Sequence, residues 1–364
     1  MIRILKYLLA GITFLGVAFG GLVYSINYYP HDIESVEVSG VGGVPLSKKK
    51  DIKVLSWNVQ YMAGKNYVFY YDLPDWSGPD SSPSLEDMQI TMQGVADIIR
   101  DENPDVILLQ EVDIDSKHTH YVNELRELQA LLPEAYAYTV FTYYHRSSFV
   151  PHPNIMGKVG LGLCIFSKYP ISHAERYALP QMRMDPLSRS FFLKRCVLQC
   201  HLPYAEGGEL VVLNTHPEAF TQGSDIMGQQ MTFISGLLDD LDRKHTPWIM
   251  GGDFNLLPPG QKALLSPQTV SLGDYNSNSE LALLTEHWSS VPSVAEATGP
   301  NLDAWFTHFP NNPVVGHPDR TLDYCFFSQQ FQLGSHLVRR AGALSLSDHL
   351  PVISTLSLNS GSGE

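Results

Sequence analysis

Cysteine is scarce in this 364-residue chain: Cys164, Cys196, Cys200 and Cys325 are the only four, and no two are spaced C-x-x-C. That excludes a zinc ribbon or another cysteine-clustered metal centre, which needs thiolates paired at close spacing. Each cysteine lies in an apolar run that reads as a strand, so buried free thiols are expected. Cys196 and Cys200 share parity and face the same way, too far apart along their strand for an easy bridge. A disulfide between other pairs stays open for an exported domain. Basic residues are also few: 24 Lys and Arg stand against 38 Asp and Glu, for a formal charge of −14, with no long basic run. A protein that coats nucleic acid needs clustered Lys and Arg, so that class is disfavoured, although an enzyme gripping phosphate in one cleft is not. The chain also lacks a Gly-rich P-loop, a G-x-S-x-G elbow and internal repeats. What it has in quantity is apolar residues, 44% of the total, ample for one large α/β core.

The longest uncharged apolar run is N-terminal. After Arg3 and Lys6, residues Tyr7 to Ile26 carry no charge, a length of ~20 residues that suffices to span a bilayer as a helix. The basic flank predicts a cytoplasmic N-terminus and the rest of the chain on the other side. Ala18-Phe19-Gly20 resembles a small-x-small processing site, so a cleaved signal peptide and secretion form the alternative. Apolar character continuing past that site favours an anchor. The division that follows is anchor or signal 1–26, an irregular Gly/Ser/Pro-containing tether 27–50, a globular domain 51–358 and a polar tail 359–364.

Within the domain, strands and helices alternate. KVLSWNV (53–59) and DVILLQEV (105–112) read as strands. Met88, Met92, Val95, Ile98 and Ile99 recur at helical spacing before Asn103-Pro104 stops the helix. Val122, Leu125, Leu128 and Leu132 mark a second helix. The segments YAYTVFTYY, GLGLCIFS, KRCVLQCHL and LVVLNTH are further strands, and Ser224-Asp225 is expected to cap a long helix through Leu241. PWIMGGDFN, TLDYCFFS and PVISTLSL complete the set. Some strands flank helices and others follow in hairpin-like succession, which predicts packed sheets with helices outside.

Polar residues interrupt these strands at their ends: Asn58, Glu111, Asn214 and His216, Asp253 and Asn255, Asp323, and Asp348-His349. Singly, each has an ordinary explanation as a turn former, a surface carboxylate or a hydrogen-bonded imidazole. Jointly they place a polar set where strand ends meet at one edge of a sheet. Carboxylate and amide oxygens suit a hard cation such as Mg²⁺, with Mn²⁺ as an alternative. Two histidines allow proton transfer at neutral pH, and an Asp beside one can fix its tautomer.

SWNV, LLQEV, GLGLCIFSKYPI, LNTH, GGDFN, TLDY and SDHLPV, in this order from Ser56 to Val352, resemble the endonuclease/exonuclease/phosphatase superfamily, also called deoxyribonuclease-I-like. The resemblance implies a four-layer α/β sandwich, two β-sheets face to face with helices outside, and a metal-dependent phosphoester hydrolase. It implies Glu111 as main metal ligand with Asn58 beside it and Asp348 contributing. Asp253 and Asn255 match the pair that positions the attacking water and holds a phosphate oxygen. His349, oriented by Asp323, matches the histidine of the SDH motif, and His216 the second histidine on the phosphate. Asn214 is a further substrate-binding candidate. Arg195, at the start of a strand, is another, able to grip phosphate bidentately.

Members of this superfamily cleave nucleic acids, phosphoinositides, sphingomyelin and other phosphoesters, so the fold selects no substrate. GGDFNLLP and TLDYCFF depart from the inositol-polyphosphate 5-phosphatase pattern and lie closer to the LDY-type segment of abasic-site endonucleases. Two aromatic insertions, after Asn58 (Tyr61, Tyr67, Phe69, Tyr70, Tyr71, Trp76) and at Tyr143–Lys158, suit base stacking, a membrane interface or local loop packing. The N-terminal segment and acidic charge favour a lipid-headgroup phosphodiesterase or phosphatase. An exported nuclease, with nucleic acid as substrate only, and a non-catalytic binding module are the alternatives. No protein partner is inferred.

Overall fold

The computed structural model describes residues 2–219, 224–273 and 275–359. Two seven-stranded mixed sheets form among them. The first runs, edge to edge, β1 (Ile33–Val36), β7 (His173–Ala178), β8 (Cys196–Pro203), β9 (Glu209–Thr215), β10 (Trp248–Asp253), β12 (Asp323–Phe327) and β11 (Ser289–Val291). The second runs β13 (Phe331–Val338), β14 (Val352–Leu358), β3 (Ile52–Asn58), β4 (Val106–Asp113), β6 (Gly157–Ser167), β5 (Tyr138–Val150) and β2 (Val38–Ser39). This is the expected sandwich of two packed sheets flanked by helices.

Each sheet has one parallel pair at its centre, β3 with β4 and β9 with β10. A parallel pair needs a crossover. α2 (Leu85–Glu102) supplies the first and α5 (Ile226–Arg243) the second. α2 behaves as its sequence predicts: the Ser84 hydroxyl accepts from the Asp87 N–H, Met88, Met92, Val95, Ile98 and Ile99 are buried, and Asn103 ends it at φ +47° before Pro104. The cap expected for α5 differs, because Asp225 occupies the N-cap position without a side-chain bond to the helix.

The inner faces meet through Val54, Leu108, Ile165, Leu198, Val212 and Ile249, all buried, each such aliphatic side chain worth roughly 1.5–3 kcal/mol. Close approach of the sheets depends on Gly251 in β10. A Cβ there would lie 2.6 Å from Leu108 Cδ1 and 2.8 Å from Ser56 Oγ, so glycine alone lets β10 lie against β3 and β4. All four cysteines are buried and unbridged.

Two segments depart from the sequence reading. The stretch 27–50, expected as an irregular tether, contributes edge strands to both sheets: β1 pairs with β7, and β2 pairs with β5. Short strands of mixed burial carry little periodic signal. The second insertion is a long hairpin, with β5 and β6 paired from Tyr138↔Ser167 out to Val150↔Gly157. The first is a packed loop in which Tyr61 and Phe69 bury against Tyr67 and Tyr71, as local packing predicts. Of the polar tail, residues 360–364 lie outside the described residues.

The N-terminal segment forms α1 (Ile2–Ile26), long and apolar enough to cross a membrane by length and composition, with only Val23 buried. Its C-terminal end meets the domain at the β5–β6 hairpin. Ser147 Oγ donates to the Ile26 carbonyl at 3.2 Å, and the Tyr28 N–H donates to the Arg146 carbonyl at 3.2 Å.

At the opposite edge of that sheet, His336 on β13 bonds Glu296 Oε1 at 2.8 Å and the Gly334 carbonyl at 2.9 Å. Burial opposes its charge, yet these two acceptors raise its pKa from 6.5. Glu296 is likewise opposed by burial and yet lowered from 4.5, by Ser293 and His336. The imidazolium contribution is complete below pH 6.5 and is lost as pH rises through the raised value; the carboxylate contribution is lost as pH falls below 4.5. His336→Ala is therefore expected to lower unfolding free energy by about 0.5–1 kcal/mol near pH 5.5, and by less near pH 8.5. Urea unfolding of both proteins at the two pH values measures this.

Candidate active site

The two parallel pairs bring the C-terminal ends of β3, β4, β9 and β10 to one edge of the sandwich, and the polar set collects there. Asn58 ends β3 and Asp253 ends β10; both are buried. Glu111 sits at a bulge in β4, where register shifts between Gln110 and Val112, with φ +59°. A bulged residue in the left-handed region is re-aimed out of the strand alternation, and this turns the Glu111 carboxylate to the site. The Asn58 amide N–H donates to Glu111 Oε1 at 3.2 Å and to Asp253 Oδ2 at 3.1 Å, linking the two sheets.

Two histidines face Asp253. His349 Nε2 lies 3.5 Å and His216 Nε2 3.4 Å from Asp253 Oδ2. His349 Nδ1 bonds Asp323 Oδ2 at 2.8 Å, and Asp323 is the cross-strand partner of Asp253. The imidazoles are tuned in opposite directions. Burial works against charge on His349, but Asp323, Asp253 and Asp348 hold it well above its usual range. Burial holds His216 well below, with repulsion from Arg195 and His349 adding to it. Burial also pushes Asp253 up to about 6, and burial together with Asp348 pushes Glu111 up to about 7. A protonated and a neutral histidine on one carboxylate is an acid/base pair separated by environment. The Asn255 N–H donates to Asp253 Oδ1 at 3.0 Å, and Asn255 itself adopts φ +55°.

Arg195 is buried beside this group, its guanidinium 4.9 Å from the Tyr144 ring and 3.8 Å from Glu218. Arg195 Nε and Nη1, the Tyr144 hydroxyl and His216 Nδ1 are buried without a hydrogen bond. Buried unsatisfied donors are costly, and a cluster of them fits an anion. Tyr144 appears in the sequence only as an insertion aromatic. His308, whose ring lies 4.6 Å from that of His349, and Lys65, lowered to about 8 by burial near Asp348, carry no sequence signal because loops deliver them.

Two expectations change. Asn214, expected as a substrate contact, is engaged between the sheets: its Oδ1 accepts from Gln110 at 2.7 Å, and its amide donates to the Leu109 and Cys164 carbonyls at 2.8 and 2.9 Å. It bridges the sheets beneath the site. Asn58 presents nitrogen to Glu111 and Asp253 while its oxygen accepts the Gln60 N–H at 3.0 Å, so as placed it orders carboxylates rather than offering an oxygen ligand. Asn58, Glu111, Asp253, Asn255, His216, Asp323, Asp348, His349 and Arg195 do come together.

The sequence profile of the Endonuclease/Exonuclease/phosphatase family matches residues 55–349, and the chain belongs to that family. Among solved structures, an endonuclease/exonuclease/phosphatase from Beutenbergia cavernae superposes at TM-score 0.60 with 22% identity, covering 85% of this chain and 72% of that one. The human Nocturnin catalytic domain with bound sulfate superposes at 0.52 with 18% identity, covering 89% and 98%. Both show the fold. A UPF0294 protein of Vibrio cholerae is 37% identical over 81 residues, 22% of this chain and 28% of that relative; the alignment thus spans little more than a quarter of the relative's length.

Enzymes of this family generally use divalent metal ions. The donor set fits one. Burial raises both Glu111 and Asp348, with repulsion from Asp348 adding at Glu111 and from Asp253 at Asp348, and such hard oxygen donors suit Mg²⁺ or Mn²⁺. Of the three compact groupings among the described residues, the two at this edge, Asp253/Asp323/His349 and His308/Asp348/His349, are both centred on His349, whose raised pKa favours the imidazolium over a ligand.

The bridging role of Asn214 is testable apart from catalysis. Asn214→Ala removes three buried hydrogen bonds between the sheets, and is expected to cost about 1–3 kcal/mol of stability, read as a fall in denaturant midpoint. A substrate contact alone would leave the midpoint unchanged.

Proposed function

We propose that this chain is a divalent-metal-dependent phosphoester hydrolase, held at a membrane by α1 and acting on a lipid-headgroup phosphate. The observation that carries the hydrolase reading is the Asp323–His349–Asp253 arrangement beside unpaired donors from Arg195, Tyr144 and His216. Asp253, buried and oriented by the Asn255 N–H, is placed to hold and deprotonate the attacking water. His349, kept protonated by Asp323, donates to the phosphoryl oxygen that gains charge. Arg195 and Tyr144 fix the phosphate by charge-assisted hydrogen bonds. Neutral His216 turns Nδ1 toward the same group or the leaving oxygen, with Nε2 3.4 Å from Asp253 Oδ2. Glu111, with Asp348, would hold the metal, which supplies Lewis-acid stabilisation of the phosphoryl charge. The lipid preference is supported by the exposed apolar α1, which ends on the hairpin carrying Tyr144, and by the net charge of −14.

The full chain in detergent or vesicles is to be assayed against sphingomyelin, phosphoinositides, other phospholipids, RNA and plasmid DNA. Hydrolysis of a lipid phosphoester is expected, abolished by EDTA and restored by Mg²⁺ or Mn²⁺. His349→Ala and Glu111→Gln are each expected to reduce kcat by about 10²–10⁴-fold. Arg195→Met should lose more than Arg195→Lys. Wild-type turnover in both His349→Ala and Glu111→Gln would refute the site assignment. Nucleic-acid cleavage that weakens steeply with salt, without lipid turnover, would refute the substrate class.

A further inference from the structure

We infer that the tip of the β5–β6 hairpin, together with α4 (Pro186–Phe191), is a bilayer-docking rim beside the active site, its partner being the phospholipid surface that receives α1. The inference rests on the membrane reading of α1 above, and adds which face of the domain meets the lipid.

Three observations converge on it. The first is reach. Glu111 lies at the bulge opposite Leu163 and Gly162 of β6, which pair with Thr142 and Tyr143 of β5. β5 continues seven residues further, to Val150↔Gly157. At about 3.3 Å per residue the hairpin overhangs the catalytic edge by roughly 20 Å.

The second is composition. From Ser147 to Gly157 there is no Asp, Glu, Lys or Arg, while Arg146 and Lys158 flank the segment. Phe149 and Met156 are exposed at 41% and 49%, and Leu187 of α4 at 46%. α4 is tied to the same strand by His145 Nε2 bonding the Phe191 carbonyl at 3.0 Å, and it carries the exposed Arg189. An apolar tip rimmed by arginines matches a bilayer, where apolar side chains enter the acyl boundary and basic ones meet lipid phosphates.

The third is continuity. α1 ends on this hairpin: Ser147 bonds the Ile26 carbonyl and forms a bridge with Asn27. Phe149 is two residues along the strand from that contact and Tyr144 three residues the other way, roughly 7 and 10 Å. A bilayer that takes up α1 therefore lies against the tip, within a short distance of the donors that hold phosphate. The charge nearest the tip comes from the neighbouring loop, where Lys117 Nζ donates to the Met156 carbonyl at 3.1 Å and Asp115 pairs with Lys158 at 3.0 Å.

The test uses the full chain. Phe149→Cys and, separately, Met156→Cys introduce an accessible thiol over four buried native ones. Ser335→Cys on β13, at the opposite edge of the same sheet, is the control. Each is labelled with an environment-sensitive fluorophore and reconstituted into phosphatidylcholine/phosphatidylglycerol vesicles with and without doxyl-labelled lipid. Labels at 149 and 156 are expected to shift to the blue and lose about half or more of their emission to doxyl lipid, while the label at 335 is unaffected. Chain that floats with vesicles but shows no quenching at 149 and 156 overturns the docking rim and leaves the membrane reading standing. Chain that does not float overturns both. A blue shift in lipid-free detergent that depends on protein concentration assigns the face to a second copy and also overturns the proposal. Quenching is read without turnover, so failure of the hydrolase assay is a separate result.

Discussion

Asn214 joins the two sheets through a single carboxamide, accepting from Gln110 and donating to the Leu109 and Cys164 carbonyls. Three hydrogen bonds satisfied at full burial make the inter-sheet spacing a fixed quantity at this depth, because a slipped sheet would strand several polar atoms at once. Gly251 lets the backbones approach to the same spacing, with Leu108 and Ser56 against its α-carbon. The catalytic edge inherits that constraint. Asn58 comes from one sheet and Asp253 from the other, yet they are hydrogen-bonded at 3.1 Å. Were the sheets an ångström further apart, the acid/base group would divide into two halves.

The same closeness sets the electrostatics. Glu111, Asp253, Asp323 and Asp348 converge with His349, His216 and Arg195 in a space that excludes most water. Burial raises the cost of every charge, and repulsion from Asp348 raises Glu111 further, as repulsion from Asp253 does Asp348. Such an arrangement is poor for stability. Its use is preorganisation: the carboxylates hold one imidazole protonated, while a second, between a cation and a protonated neighbour, stays neutral. Charge of both signs stands fixed before substrate arrives, so little reorganisation is left for the transition state. The region of surplus negative charge, around Glu111 and Asp348, is where a divalent cation relieves the most repulsion.

Most of the sandwich was legible because its central strands are long, continuous apolar runs, and the helices between them have clean 3.6-residue stripes. The site was legible for a related reason: polar residues at the C-terminal ends of buried strands have few roles open to them. Asn214 shows the limit. It stands two residues before His216 in LNTH, so position alone could not separate a group facing substrate from one facing the opposite sheet. Asn58 was placed correctly, but which amide atom faces the carboxylates is a three-dimensional fact. Tyr144, Lys65 and His308 reach the site from a hairpin and loops, where sequence gives no alignment with the strand ends. β1 and β2 escaped notice because they are short and half-exposed. The outer part of β5 and β6 read as an insertion since Pro151 and Pro153 suppress the strand pattern near the tip.

Where α1 leaves the domain bears on what the site can reach. Its last turn rests on Ser147, on the strand that also carries Tyr144. Strands are stiff on this length scale, so the helix exit and the phosphate-binding donors move together. On the proposed reading, a bilayer holding α1 would confine the site to phosphates near the membrane plane, and raise their local concentration without any further binding energy. For a long polyanion the balance reverses: it would approach a chain of net charge −14 at a surface where, on the proposed docking, lipid phosphates would compete for Arg146 and Arg189. The aromatic loop adds no counterweight, since Tyr61 and Phe69 are buried in their own cluster and Trp76 stands beside the exposed Asp75. Under the proposed membrane reading, tether and charge thus act in the same direction, toward a phosphoester presented by lipid.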